Sequence, residues 1–231
     1  MTKSLHILND HIHFEPITAM ALERFDLRFN DGEWILVQRD ERTPKDVSFI
    51  VDLVKFYEST TPEHFKTLKG YTFSVILDYL MRTHSFYIKV MLPKMEMTMR
   101  NLQKEFSHHP FGHVVGHFYN NYQNELLEHI ELEENKLFPY AEGLYDGKLV
   151  EGYSVESFKH HHNHDIEDHL EDMLEVIEEE FPEVCHSLPY RTFKHLLNSF
   201  KADLAIHHAI EEGIFLRLTE QLEREVKHAG V

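Results

Sequence analysis

Apolar residues recur every three or four positions along four long stretches of this chain, the spacing of one face of an α-helix. The first stretch runs from about Thr72 to Gln103, with Phe73, Leu77, Leu80, Met91 and Met95 in one stripe. Pro93 has no amide hydrogen and crowds the carbonyl four residues back, which predicts a kink there. The stretch "SHHPFGH" reads as a turn, and Pro110 opens a second helix that reaches about Leu144. Its stripe is Phe118, Tyr122, Leu126 and Leu137, and Gly143 with "YDGKLVEGY" ends it. A third helix starts after Ser154 and stops at Pro182, with Val155, Phe158, Ile166, Leu170, Met173 and Ile177 aligned. The fourth begins near Pro189 and aligns Phe193, Leu197, Phe200, Leu204, Phe215, Leu218 and Leu222. Four such segments with short connections predict an all-α fold, an up-down-up-down four-helix bundle over residues 66–231.

Residues 1–65 read as a small N-terminal helical region. "PITAMALERF" predicts a short helix with Pro16 in its first turn, and Asn30-Asp31-Gly32 predicts a turn. Thr43 as a cap and Pro44 as first helical residue open another helix, with Val47, Ile50, Val51 and Val54 on one face.

Charge narrows the partners. The formal net charge of -17 argues against nucleic-acid backbones and anionic membrane surfaces. A single cysteine, Cys185, allows no intrachain disulfide, so a reducing, cytoplasmic setting is expected. The N-terminus shows no hydrophobic signal core, and no apolar run is long enough to span a bilayer.

The chemistry lies where polar residues interrupt the stripes. His84 falls in the first stripe, His129 and Glu133 in the second, His162 in the third, and His207 and Glu211 in the fourth. The pattern His-x-x-x-Glu occurs twice, and residues four apart share a helix face. Carboxylates turned into an apolar core need protonation or a cation. Two metal ions bridged by both glutamates, each taking two imidazole nitrogens, would satisfy all six side chains and leave positions open for a small ligand. Mixed imidazole and carboxylate ligation suits iron, manganese or zinc. On the third helix His160, His161, His162 and His164 compete. His162 is preferred because His160 and His164 fall away from the stripe. His169, seven residues on, is positioned to orient a ligand.

Other polar clusters read as ordinary surface or packing. Glu134 and Asp165 are expected in solvent, as are His6, His11, His13 and the ladder His109, His113, His117. Met91, Met95, Met97 and Met99 read as packing residues, and Cys185 as a bystander. Tyr122 and Tyr140 approach the ligands in sequence but receive no role.

"HIELEENKLFP" and "HHAIEEGIFL" resemble the two ligand motifs of the hemerythrin-like (HHE cation-binding) family. With "THSFYIKVMLPKM" and "HNHDIEDHL" added, the chain is similar to the family's di-iron repair-of-iron-centres branch over about residues 70–222. The resemblance implies His84, His129, Glu133, His162, His207 and Glu211 as ligands of two iron ions. It further implies binding of nitric oxide or oxygen, and a role in repairing iron–sulfur centres under nitrosative or oxidative stress. A gas sensor and a metal store are the competing readings, and a homodimer is compatible with either. The chain departs from the oxygen carriers at two points. Ile166 stands four residues after His162, and the last helix offers Glu211 rather than an aspartate. Both departures predict a more open, more reactive centre. The cysteine pair common near the N-terminus of the repair proteins is missing here.

Overall fold

The computed structural model describes residues 16–25, 27–30, 33–36, 47–150, 152–161 and 166–229. Helices dominate. They are α1 (Pro16–Glu23), α2 (Val47–Glu58), α3 (Pro62–Leu68), α4 (Phe73–Phe86), α5 (Leu92–Glu105), α6 (Phe111–Leu132), α7 (Phe138–Tyr145), α8 (Val155–His161), α9 (Ile166–Glu180), α10 (Leu188–Ile210) and α11 (Leu216–Ala229). One antiparallel ribbon, β1 (Leu27–Asn30) with β2 (Glu33–Leu36), joins them. The N-terminal region is therefore not purely helical. The ribbon's register pairs Leu27 with Leu36 and Asn30 with Glu33. Thr43 and Pro44, with His6, His11 and His13, lie outside the described residues.

Three π-helical turns interrupt the long helices: π1 (Tyr87–Met91), π2 (Glu133–Leu137) and π3 (Glu211–Phe215). A π-turn holds one more residue than an α-turn. Two of them precede a proline, Pro93 after π1 and Pro139 after π2. In a regular helix each proline ring would press on the carbonyl four residues back, and the widened turn relieves that crowding. Pro93 thus expresses itself as a π-turn just upstream of it.

The chain divides into two compact units. One comprises residues 1–86 with 206–218. Here α1 packs on α2, α2 on α3, and α4 on π3. α2 buries Phe49, Ile50, Leu53, Val54, Phe56 and Tyr57, a wider face than the valine–isoleucine stripe suggests. Phe49 anchors this core edge-on against Phe25, Tyr71 and Tyr79, with centroids 6.4, 5.1 and 5.7 Å away. Phe73 of α4 stacks on Phe215 of π3 at 5.6 Å. α3 opens with a side-chain cap, in which the His64 amide donates to Thr61 Oγ1 at 3.3 Å and Pro62 follows.

The other unit comprises residues 87–205 with 219–231. α6 packs against both α5 and α9. The Tyr119 hydroxyl donates to the Leu92 carbonyl at 3.2 Å, and the Tyr87 hydroxyl donates to the buried Asp203 carboxylate at 2.7 Å. Burial pushes the Tyr119 hydroxyl well above its ordinary range, and the charge of Glu96 adds to this. Phe106, Phe111, Phe181 and His109 form an edge-to-face cluster near the α5–α6 turn. No helix among the described residues is long and apolar enough to cross a membrane.

Glu223 fixes the start of α8. It is buried, accepts the Val155 amide at 3.2 Å and pairs with Lys227. Burial alone would raise its carboxyl, but the hydrogen bonds from Lys227 and the Val155 amide outweigh that and hold it below the ordinary glutamate range. A depressed folded value stabilises the fold above the unfolded value, and the contribution is lost as pH falls through the folded one. Glu223→Gln should therefore lose about 1 kcal/mol at neutral pH, and the gap to the parent should close as the solution is acidified below the ordinary glutamate range. Urea unfolding of both proteins across that range checks it.

Candidate metal centre

The π-turns set the position of the acidic residues. Glu133 opens π2 and Glu211 opens π3. The backbone carbonyl of each accepts the amide five residues on, from Phe138 and Leu216 respectively. Glu133 and Glu211 are both fully buried, at 0% exposure. Their sequence neighbours Glu134 and Glu212 are exposed, as the stripe phase requires. Each buried glutamate follows a buried histidine by one helical turn. His129 Nε2 lies 2.8 Å from Glu133 Oε1, and His207 Nε2 lies 3.8 Å from Glu211 Oε2. His84, also at 0% exposure, faces His207 with ring centroids 5.3 Å apart.

Among the described residues, two groups of side chains could each hold a metal ion: His84, Glu133 and His207, and His129, His208 and Glu211. Within each group one ligand atom per residue lies within 4.8 Å of the others. The donors are imidazole nitrogens and carboxylate oxygens, a mixture that fits iron, manganese or zinc. Two carboxylates fully withdrawn from water are costly as anions, and a divalent cation offsets that cost. The residues present therefore fit a metal centre on the chemistry of their donors.

Five of the six expected ligands fall in these groups, and His208 joins them. His208 sits about 100° round the helix from His207 and so lies off the stripe. Its ring lies 5.6 Å from that of His207. The signal available in the sequence was the His207-His208 doublet itself. His162 and His164 lie outside the described residues, as does the side chain of His161. His160 is exposed and 3.4 Å from Glu156. His169 does not line the buried donors. It is half-buried and sits 2.6 Å from Glu125. His113 and His117 are exposed, and His109 pairs with Glu183 at 3.0 Å, so the ladder is surface. Met91, Met95 and Met99 are core, whereas Met97 is exposed.

Tyr153 lies close enough to Glu133 to feel its charge, and Tyr140 packs against Tyr153. Tyr140 of α7 is buried, and Tyr153 meets it edge-on at 4.9 Å. Burial raises the Tyr153 hydroxyl, and the charge of Glu133 raises it further. Burial likewise pushes Tyr140 up to about 12, with Glu223 contributing. Tyr153 lies in the α7–α8 connection, where no periodicity marks it. Cys185 is half-buried, and its thiol points at the Phe181 carbonyl, 3.6 Å away. Burial raises the thiol's pKa, which suits an unreactive residue. Compared with protein-family models, with curated proteins and with solved structures, the chain finds no match.

Gly213 sits within π3, and α3 approaches it closely. A Cβ there would lie 2.5 Å from Phe65 Cζ. Gly213→Ala should lose about 1–3 kcal/mol through this clash, despite the better helix propensity of alanine. Adding Phe65→Leu should recover most of the loss. A double-mutant cycle by thermal or urea unfolding measures the coupling, and additive effects would show that the two positions do not press on each other.

Proposed function

We propose that this chain is a hemerythrin-like di-iron protein, with the donors presented by four helices of an up-down-up-down bundle. One observation carries the reading. Each of two fully buried glutamates stands one turn after a buried histidine and opens a π-turn. π-turns inside α-helices are frequent at functional sites. In this reading His84 and His207 serve one ion and His129 and His208 the other. Glu133 and Glu211 contribute the carboxylates that hold the two ions together through a change of charge. His162 remains the preferred donor from the third helical segment.

Two iron ions there would supply open positions for nitric oxide or oxygen and a one- or two-electron redox change. The protein's part is to hold the donors and to exclude water. Buried Leu80, Leu126, Leu137 and Leu204 flank the ligands along their own helices, which keeps the surroundings apolar. Low polarity strengthens the attraction between carboxylate and cation. We place the activity in the response to nitrosative or oxidative stress, with damaged iron–sulfur proteins as the partners.

Metal analysis of the purified chain tests this, together with an optical spectrum before and after anaerobic addition of nitric oxide. Two irons per chain and a ligand-dependent spectral change are expected. Glu133→Ala and Glu211→Ala should each lose at least one metal, whereas Glu134→Ala and Glu212→Ala should keep both. Equal effects within either pair would sink the assignment.

A further inference from the structure

Along α6 and into π2, side chains of metal-binding type recur at four-residue steps: His117, Asn121, Glu125, His129 and Glu133. Neighbours at this spacing stand about 5–6 Å apart between Cβ atoms, and such a row winds roughly 40° round the helix per step. Exposure follows the winding. His117, Asn121 and Glu125 are exposed, His129 is 8% exposed and Glu133 is 0% exposed. The row thus runs from solvent to one donor of each candidate metal group, His129 in one and Glu133 in the other.

Contacts tie the steps together. Asn121 Nδ2 donates to His117 Nε2 at 3.3 Å, so that ring nitrogen holds the lone pair a cation would take. Helix α9 joins at the next step, where His169 Nδ1 donates to Glu125 Oε2 at 2.6 Å. His129 Nε2 then lies 2.8 Å from Glu133 Oε1. Beside the middle of the row a cleft of 190 Å³ opens between α6 and α9. Asn121, Glu125, His169 and Asp172 line it, over the rings of Phe118 and Tyr122. A divalent ion carrying six waters, at roughly 30 Å³ for each, needs about 180 Å³. The cleft has that room, and its two carboxylates carry the charge that draws a cation.

We propose that this row, completed by His169 and Asp172 across the cleft, is a loading path that carries a divalent cation from solvent to His129 and Glu133. This rests on the di-metal reading above. A hydrated cation cannot shed all its waters at once into an apolar interior without a large desolvation cost. Exchanging them stepwise, for the amide and carboxylate oxygens and imidazole nitrogens of the row, spreads that cost over several small steps. Only ligands are exchanged, and no electron moves. The alternative is that Glu125 and His169 merely clasp α9 to α6.

Stopped-flow mixing of the metal-free full chain with zinc, and of the zinc-loaded chain with a chelator, measures loading and release. The double variant Glu125→Gln, His169→Ala should load and release zinc about tenfold more slowly than the parent, with two ions still bound at equilibrium. A control carrying Glu128→Gln and His108→Ala removes the same kinds of group from exposed positions off the row, and should match the parent. Glu125→Gln with Asp172→Asn, both exposed, gives the same test should the histidine variant fail to fold. Loading at the parent's rate would leave only a clasp and overturn the proposal. So would a control that slows as much, because general attraction to an acidic surface would then set the rate. Loss of an ion at equilibrium would overturn it too, since the replaced residues would then be ligands. A parent that binds no zinc would instead refute the di-metal reading.

Discussion

Two carboxylates with no access to water govern this structure. Glu133 and Glu211 sit at positions where a regular amphipathic helix would place leucine. Neither could stay there by hydrophobic packing, because desolvating a carboxylate opposes folding far more than one buried side chain can repay. Whatever satisfies them must therefore be polar or charged and equally buried. The helices supply histidines one turn before each acid, and His84 from a third helical stretch. Within each unit buried rings hold the helices that carry the acids: Phe73 stacks on Phe215 of π3, and Phe200 meets Tyr122 of α6 edge-on.

The π-turns resolve a geometrical conflict at the same places. A regular helix that buries Glu211 and continues in phase would next bury Phe215, Leu218 and Leu222. Phe215 is buried, but Leu218 and Leu222 are only half-buried, and Leu216, Thr219 and Glu223 take the inward face instead. The extra residue in π3 shifts everything after it by one position. This brings Glu223 inward, where it can accept the Val155 amide. In the second helix the shift follows Glu133, and Phe138 and Ala141 join Leu137 in the core.

Periodicity made much of this legible. The stripes Phe73–Leu77–Leu80, Tyr122–Leu126 and Phe193–Leu197–Phe200–Leu204 are all buried as their spacing requires, and five buried donors lie in phase with them. The misreadings share physical causes. Phe118 stands a four-residue step before Tyr122, but the face turns slowly and Val115 and Tyr119 hold the inward positions, leaving Phe118 exposed. Phase beyond a π-turn cannot be carried over from the helix before it, which is why Leu218 and Leu222 were misplaced. His208 lies off any single stripe, yet an ion has width and draws donors from a broader arc than one row of side chains. Tyr153 gave no signal at all, because a hydroxyl in a connecting segment follows no repeat. The ribbon Leu27–Leu36 was readable only as a turn, since two four-residue strands are too short to establish alternation.

The surplus residue in π3 also makes chain length a control on facing. Remove one residue from Glu211–Phe215 and the helix returns to 3.6 residues per turn. The tail from Leu216 to Ala229 would then keep its facing, because Leu216, Thr219 and Glu223 would fall in the regular helical phase of Glu211 and stay inward. A single-residue deletion in such a turn is thus absorbed locally, whereas the same deletion further along α11 would rotate everything downstream of it by about 100°.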